Sequence, residues 1–367
     1  MAAPNQDDVK RYNKTKLIVS LAGMVLSFTL ILSILISGYT FRIERFAFSY
    51  TSSPYLALII FTAVLGLING IISFPLGFYS GYILEHKYHL SNQSLRQWLW
   101  ESAKGFLVSI PIILPLLLIF YFFIVSFELY WWLPLGMVLF IFSIGLSRIA
   151  PILILPLFYK LTPLDHSTLK EKILALTKST TMYVEGIYTF NLSKTTKKAN
   201  AAFTGIGKSK RILLGDTLME NFSEDEIEIV FAHELGHYSH GHIWKGILVG
   251  TISIFLGLFL TAQAYHFSLA WFGFTSPSQI SALPLLTVWL GVYSLITSPV
   301  SNILSRKHEF EADRYAIKCT NNKPAFASTM QKLASMNMAD TSPHPLIEFL
   351  FYSHPSIEKR IRAAENC

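Results

Sequence analysis

Charged residues are scarce in this chain of 367 amino acids, and cysteines are scarcer still. Only 14% of the residues are Asp, Glu, Lys or Arg, whereas soluble domains carry about 25%. Hydrophobic residues make up 52% of the chain, and the mean hydropathy is +0.43. The shortage of charge excludes an ordinary soluble protein. The two cysteines, Cys319 and Cys367, are far apart and provide no framework of disulfides.

Long apolar runs take the place of the missing charge. Six of them lie at roughly 17–39, 55–84, 105–127, 130–158, 243–265 and 282–304. A spanning helix needs about 20 apolar residues, so the sequence predicts an α-helical multi-pass membrane protein. The second run is long and contains Pro75, so it could be one kinked span or a span with a re-entrant piece. We therefore expect six or seven spans. The first run is too long for a signal peptide and should remain as an anchor.

The runs divide the chain into four expected parts. These are the N-terminal membrane spans, a polar segment, a membrane hairpin and a polar C-terminal segment, at 1–158, 159–242, 243–304 and 305–367. Lys and Arg are concentrated in the N-terminal tail, in 85–104 and in both polar segments, whereas 266–281 has no charged residue. Because basic residues favour the cytosolic side, we expect both polar segments to face the cytosol, in a bacterial inner membrane or the endoplasmic reticulum. The net charge of +7 then needs no nucleic-acid partner, and we predict none.

The first polar segment has the pattern of a small α+β unit. Residues 164–178 predict a helix, and 182–192 are rich in β-branched and aromatic side chains, as in a strand. Two further short runs, 200–204 and 211–214, flank a Gly-Ile-Gly-Lys sequence and predict a β-hairpin.

The helix that follows carries a metal-binding pattern. It opens with a capping box at Ser223 and Glu226 and contains His233, Glu234 and His237 in the order His-Glu-x-x-His. Histidines at i and i+4 lie on one helical face, so both imidazoles can bind one ion. Glu234 lies about 100° away, where it can act on water instead of binding the metal.

A catalytic zinc needs a third protein ligand, and a second helix supplies it. The run Glu-Phe-Glu-Ala-Asp at 309–313 places Glu309 and Asp313 on one face, with Glu311 about 200° from Glu309. We therefore predict Glu309 as the third ligand and Asp313 as the residue that orients a ligand histidine by a hydrogen bond. Glu311 is expected to be solvated or paired with a base. The 71 residues between His237 and Glu309 form a membrane hairpin, which would return Glu309 to the face that it left.

These residues resemble the integral-membrane zinc endopeptidases of the CAAX prenyl protease type 1 family. The resemblance rests on the His-Glu-x-x-His and Glu-x-x-x-Asp patterns and extends through 158–164, 198–201, 210–218 and 353–355. It implies six to seven spans around an internal chamber, with a small α+β zincin-like catalytic portion on the cytosolic side. It also implies one Zn²⁺ per chain. The implied partners are a peptide or protein substrate, which in the family is prenylated at its C terminus, and the lipid bilayer.

The same resemblance implies roles for three further residues. Asn200 would lie on an edge strand against which an extended peptide pairs. His354 and Arg360 match a His-Pro-x-x-x-x-Arg signature, where they would stabilise the oxyanion and hold the site together. Glu234 would be the catalytic base.

Three alternatives remain open at this point. The chain could be a quality-control protease for misfolded or stalled membrane proteins, without prenyl specificity. A protease with its site inside the bilayer is disfavoured, because the metal-binding helix begins with the polar run 223–226. A transporter or scaffold with a structural metal would need four protein ligands, and three are visible. His240 and His242 could hold a second metal, although a polar helix end at the membrane explains them more simply.

Overall fold

The computed structural model describes residues 4–165, 167–178, 185–204 and 211–366. Within these residues six helical runs are long and apolar enough to cross a membrane: Gln6–Ile36, Pro54–Lys87, Leu95–Tyr130, Trp132–Phe158, His242–Phe272 and Ile280–Thr320. This confirms the multi-pass helical class. The second run accommodates Pro75 inside a helix and continues through a π-helical turn at Tyr79–Ile83. It is one continuous helical run, so the possible re-entrant piece is not found there.

The helices in chain order are α1 (Gln6–Ile36), α2 (Tyr39–Tyr50), α3 (Pro54–Phe78), α4 (Leu84–Lys87), α5 (Leu95–Phe127), α6 (Trp132–Ile149), α7 (Leu155–Phe158), α8 (Ser167–Lys178), α9 (Asp216–Asn221), α10 (Glu224–Ser239), α11 (His242–Ser268), α12 (Pro284–Thr320), α13 (Lys323–Asn337), α14 (Pro345–Phe351) and α15 (Ile357–Glu365). The strands are β1 (Leu161–Pro163), β2 (Gly186–Phe190), β3 (Ala201–Thr204) and β4 (Arg211–Gly215).

The four strands form one small sheet in the order β1-β2-β4-β3. The predicted hairpin strands β3 and β4 pair antiparallel with Ala201 opposite Leu214, and β2 pairs parallel with β4. The predicted turn at 205–210 lies outside the described residues, as do residues 182–184 at the start of the strand predicted for 182–192. Because β3 has a neighbour on one side only among the described residues, its other side is an open edge there.

Helix α10 begins at the predicted capping box. The Ser223 hydroxyl accepts from the Glu226 N–H at 3.3 Å, and the Glu226 carboxylate accepts from the Ser223 N–H at 2.8 Å. The helix ends at Ser239, with His240 as its cap, and Gly241 then takes a positive φ of 67°. This left-handed residue turns the chain directly into α11.

Helices α10 and α12 pack closely at a glycine. A Cβ at Gly236 would lie 2.9 Å from the Ala312 Cα, so only glycine fits at this crossing. Gly236 lies one position from His237, and Ala312 one position from Asp313. The contact therefore brings the histidine face of α10 against the acidic face of α12.

A cavity of about 570 Å³ lies among the spanning helices. Its walls are apolar and include Leu58, Phe61 and Trp131, which are almost completely buried. The polar segments that carry the α+β part lie outside these spans, so the membrane helices and the sheet form separate cores.

Candidate metal centre

Three predicted ligands converge between α10 and α12. The Nε2 atoms of His233 and His237 lie 3.2 Å apart. The Glu309 carboxylate lies 3.4 Å from His233 Nε2 through one oxygen and 3.2 Å from His237 Nε2 through the other. Four ligands at zinc bond lengths of about 2.0–2.1 Å in a tetrahedron lie about 3.3 Å from one another. The side chains are therefore already spaced as ligands of one metal ion.

Glu309 supplies a second indication that a cation belongs here. The residue is 5% exposed, and among the described residues its buried Oε2 atom has only long contacts, to His233 Nε2 at 3.4 Å and to Arg360 NH2 at 3.5 Å. A buried carboxylate oxygen without a well-placed donor is costly. A metal ion would satisfy this oxygen, so the donor set fits the ion that the sequence predicts.

Asp313 and Arg360 lie behind His233. Asp313 Oδ1 accepts a hydrogen bond from His233 Nδ1 at 2.8 Å, as the sequence predicts. Arg360 donates to the same carboxylate through Nε at 2.8 Å and NH2 at 2.6 Å. All three side chains are buried. Because Asp313 holds Nδ1, the Nε2 atom of His233 faces the metal position.

The same contacts set the protonation of His233 in the metal-free protein. Burial opposes the charged imidazolium, but the hydrogen bonds to Asp313 and Glu309 outweigh it and raise the pKa of His233 to about 9. A metal ion must therefore displace a proton from this residue.

His237 is held by a pair of residues that sequence reasoning did not assign to the site. Its Nδ1 lies 3.0 Å from His242 Nδ1, and His242 Nε2 lies 2.8 Å from the Glu311 carboxylate. A carboxylate only accepts, so a neutral His242 donates to Glu311 and accepts from His237. The Nε2 lone pair of His237 is then free for a metal. Glu311 is paired with a base, one of its two expected states.

Glu234 lies beside the ligands at the wall of a cleft of about 490 Å³. Burial raises the pKa of its carboxyl above the usual value of 4.5, and the neighbouring His233 and His237 reduce the shift. The cleft is also lined by Asn200, His354 and Arg360. Asn200 is exposed and immediately precedes β3.

His354 and Arg360 face the ligands differently. The His354 side chain is 64% exposed, and its Nε2 lies 3.5 Å from Glu309 Oε1. Arg360 is buried, with both donating nitrogens directed to Asp313. Arg360 therefore packs behind the ligand residues, whereas His354 lies on the exposed side of the cleft.

The structure thus brings every predicted site residue to one cleft or to the side chains behind it. Sequence reasoning missed His242, Glu311 and Asn337, whose side chain contacts the backbone beside Asn200. Glu311 lies on a different face of its helix from Glu309, so the sequence provided no reason to place it near the metal. It contacts the site through His242, which the left-handed turn at Gly241 brings beside His237. Asn337 carried no signal in the sequence.

Two family profiles together cover almost the whole chain. Residues 4–160 match the profile described as the CAAX prenyl protease N-terminal region with five membrane helices. Residues 163–367 match peptidase family M48.

Individual proteins show the same similarity. A Bacillus subtilis (strain 168) protein named "Uncharacterized metalloprotease YhfN" is 31% identical over 97% of this chain and 84% of its own length. CAAX prenyl protease 1 of Saccharomyces cerevisiae is 29% identical over 83% of this chain and 71% of its own length. The crystal structure of Ste24p from S. mikatae superposes with a TM-score of 0.85 at 27% identity, covering 97% of this chain and 88% of that chain.

Proposed function

This chain belongs to peptidase family M48 and is a multi-pass membrane metalloprotease, and from that premise we propose that it is a zinc endopeptidase with its site at His233, His237 and Glu309. The observation that carries the proposal is the spacing of 3.2–3.4 Å between the three ligand atoms. Two imidazoles and one carboxylate with an open fourth position are typical of catalytic zinc. A structural site would instead close the fourth position with a protein ligand.

The chain's own residues divide the chemistry between them. Zinc bound here would polarise the scissile carbonyl and acidify a water molecule. Glu234, at the cleft wall, would accept the proton from water and deliver it to the leaving amine. Its raised pKa favours this exchange, because the carboxyl can hold a proton for transfer. His354 would donate to the negative charge that develops on the carbonyl oxygen.

Asp313 and Arg360 act through His233. Removal of one partner from a buried, hydrogen-bonded ion pair costs about 3–5 kcal/mol, so both residues belong to the framework that fixes the ligand. We assign Arg360 to this positioning role, because its side chain is buried and two of its guanidinium nitrogens donate to Asp313.

We propose that the substrate is an extended peptide that pairs with the edge of β3 near Asn200. The relatives named CAAX prenyl protease 1 favour removal of the C-terminal tripeptide from prenylated proteins. The membrane parts 1–158 and 243–304 would anchor the protein, and the polar parts 159–242 and 305–367 would carry the site on the cytosolic face.

Cleavage of a peptide containing S-farnesyl cysteine by the purified, detergent-solubilised protein tests this proposal. The wild type should release the C-terminal tripeptide, and Glu234→Gln should abolish release, because an amide cannot accept the proton. The matched unprenylated peptide measures prenyl specificity. Equal cleavage of both peptides would favour the quality-control function. Full activity of Glu234→Gln would refute the assigned base.

A further inference from the structure

The open edge of β3, together with the two residues that precede the strand, has two backbone positions that face the cleft. The Asn200 carbonyl accepts a hydrogen bond from the Gly215 N–H at 3.0 Å, so the backbone of Asn200 faces β4. Antiparallel strands alternate between residues that bond the neighbouring strand and residues that face away from it. Ala199 and Ala201 therefore direct their N–H and C=O groups outwards, and both residues line the cleft.

One of these two positions is already occupied by a side chain of the protein. Asn337 Oδ1 accepts from the Ala199 N–H at 3.0 Å, and Asn337 Nδ2 donates to the Ala199 carbonyl at 3.3 Å. These are the two bonds that a residue of a neighbouring strand would make. The amide of Asn337 therefore makes the backbone hydrogen bonds that a bound peptide would make at Ala199, so the open edge ends there.

The position of Asn337 is fixed by its surroundings. It is the last residue of α13, and Met338 follows in a left-handed conformation with φ of 51°. Asn13 from α1 donates to the Met338 carbonyl at 2.7 Å. Helices α13 and α1 therefore hold the amide against Ala199.

Ala201 is left open on the same edge. Ala201 lies opposite Leu214 in a pair that does not exchange backbone hydrogen bonds, and no hydrogen bond to its outward N–H or C=O is found in the part of the chain that the structure describes. Positions two residues apart on a strand are separated by about 7 Å. A peptide that pairs at Ala201 can continue towards Thr204, but in the other direction it meets Asn337 within about this distance.

We propose that Asn337 is a specificity-determining residue that limits the length of substrate on one side of the scissile bond. This inference rests on the proposed endopeptidase function and on antiparallel pairing, which gives the better hydrogen-bond geometry. In that orientation the C-terminal part of the peptide runs towards Ala199. A short C-terminal segment fits, whereas a longer one has to displace the amide or leave the edge.

Three peptides test the proposal. The first ends three residues after an S-farnesyl cysteine, the second is extended by three residues at its C terminus, and the third by three residues at its N terminus. For the wild type, the C-terminal extension should lower kcat/KM for cleavage after the cysteine by about tenfold, the effect of exchanging one hydrogen-bonded contact. The N-terminal extension should leave kcat/KM unchanged.

Asn337→Ala should remove the penalty for the C-terminal extension. Asn337→Asp keeps the size and the acceptor but loses the donor, so it should reduce the penalty even if the alanine variant does not accumulate. Gln331→Ala, an exposed amide on the same helix, should retain the wild-type ratio.

Several results would overturn the inference alone. These are equal kcat/KM for all three peptides in the wild type, a penalty unchanged in both Asn337 variants, or a uniform loss for all peptides in Asn337→Ala, which would mark a structural tie. A wild-type protein with zinc that cleaves none of the peptides would contradict the proposed function, and the inference with it.

Discussion

Each ligand histidine uses one ring nitrogen for the metal position and the other for a neighbouring side chain. For His233 the neighbour is Asp313, and for His237 it is His242. Such contacts fix the tautomer and the orientation of a ligand ring before the ion arrives. The metal centre is therefore built from two layers of side chains.

Metal affinity should fall with decreasing pH because of His233. Its pKa of about 9 in the metal-free protein means that the ring is protonated at neutral pH and must lose the proton to bind. Below pH 9 this group should weaken apparent zinc affinity by about tenfold per pH unit. Competition titration with a chelator at several pH values measures this slope. Asp313→Asn should move the break to lower pH, and the same break in both proteins would contradict the prediction.

The raised pKa also acts on the stability of the metal-free protein. The ordinary value for histidine is 6.5, so the contribution of His233 is fully present below that pH and is lost as the pH rises towards 9. As the pH rises from 6.5 to about 9, loss of the His233 contribution should lower the free energy of unfolding of the metal-free protein. Zinc affinity should rise over the same pH range.

Loss of His242 should weaken metal binding without loss of a ligand. His242→Ala removes the acceptor for His237 Nδ1, and such changes cost about 10–100-fold in metal affinity. His240→Ala is the control for loss of a neighbouring imidazole, because the His240 ring contacts the Gly236 carbonyl and stacks on the His242 ring at 5.6 Å, and no hydrogen bond from it to His237 is found among the described residues. Equal zinc affinities of the wild type and His242→Ala would show that His237 is oriented without this contact.

At the scale of elements, the site depends on the crossing of α10 and α12. Each helix carries part of the ligand set, and neither set is complete alone. Gly236 allows the two backbones to approach so closely that a Cβ has no space beside Ala312.

Gly236→Ala should therefore destabilise the protein and weaken zinc binding together. The added methyl group forces the helices apart, which typically costs about 1–3 kcal/mol. Thermal unfolding in detergent should show a lower Tm. Gly246→Ala, on α11 with no atom within 4 Å of the added Cβ, should not lower Tm, because alanine is the better helix former, and should leave zinc affinity unchanged. A normal Tm for Gly236→Ala would contradict the packing argument.

The sequence was sufficient to predict the apolar spans, the β3–β4 hairpin strands and the metal-binding helix, but not all their contacts. The capping box, the histidine face and the β3–β4 pairing depend on residues close in sequence, and local geometry determines them. The contact of His242 with His237 depends on the left-handed turn at Gly241. The contact of Asn337 with Ala199 joins residues 138 positions apart. Neither could be read from spacing alone.

At the scale of the molecule, the membrane hairpin of α11 and α12 unites distant parts of the sequence. The hairpin places Glu309 beside His237, with 3.2 Å between Glu309 Oε1 and His237 Nε2. Apolar length predicted six or seven spans, and six helical runs of the described residues are long and apolar enough to cross a membrane. The prediction that the site lies on the cytosolic face of the membrane rests on the uneven distribution of Lys and Arg between the loops.

A single cysteine can test that orientation. Cys319 is free, exposed and near the end of α12 that carries the ligands, and Cys367→Ser leaves it as the only thiol. We expect a membrane-impermeant maleimide to label it in inverted vesicles but not in right-side-out vesicles. With Thr275→Cys in a chain lacking both native cysteines, at the other end of the α11–α12 hairpin, the pattern should reverse. Labelling of Cys319 from the outer face would contradict the cytosolic site.

The most direct test of the central claim is the zinc content of three purified proteins, measured beside cleavage of the S-farnesyl peptide. We predict about one zinc per chain in the wild type and in Glu234→Gln, with cleavage in the wild type only, and neither zinc nor cleavage in His233→Ala. This pattern would separate the metal ligand from the base. A wild-type protein that cleaves the peptide without a bound metal, or a His233→Ala variant that retains full zinc and activity, would contradict the account.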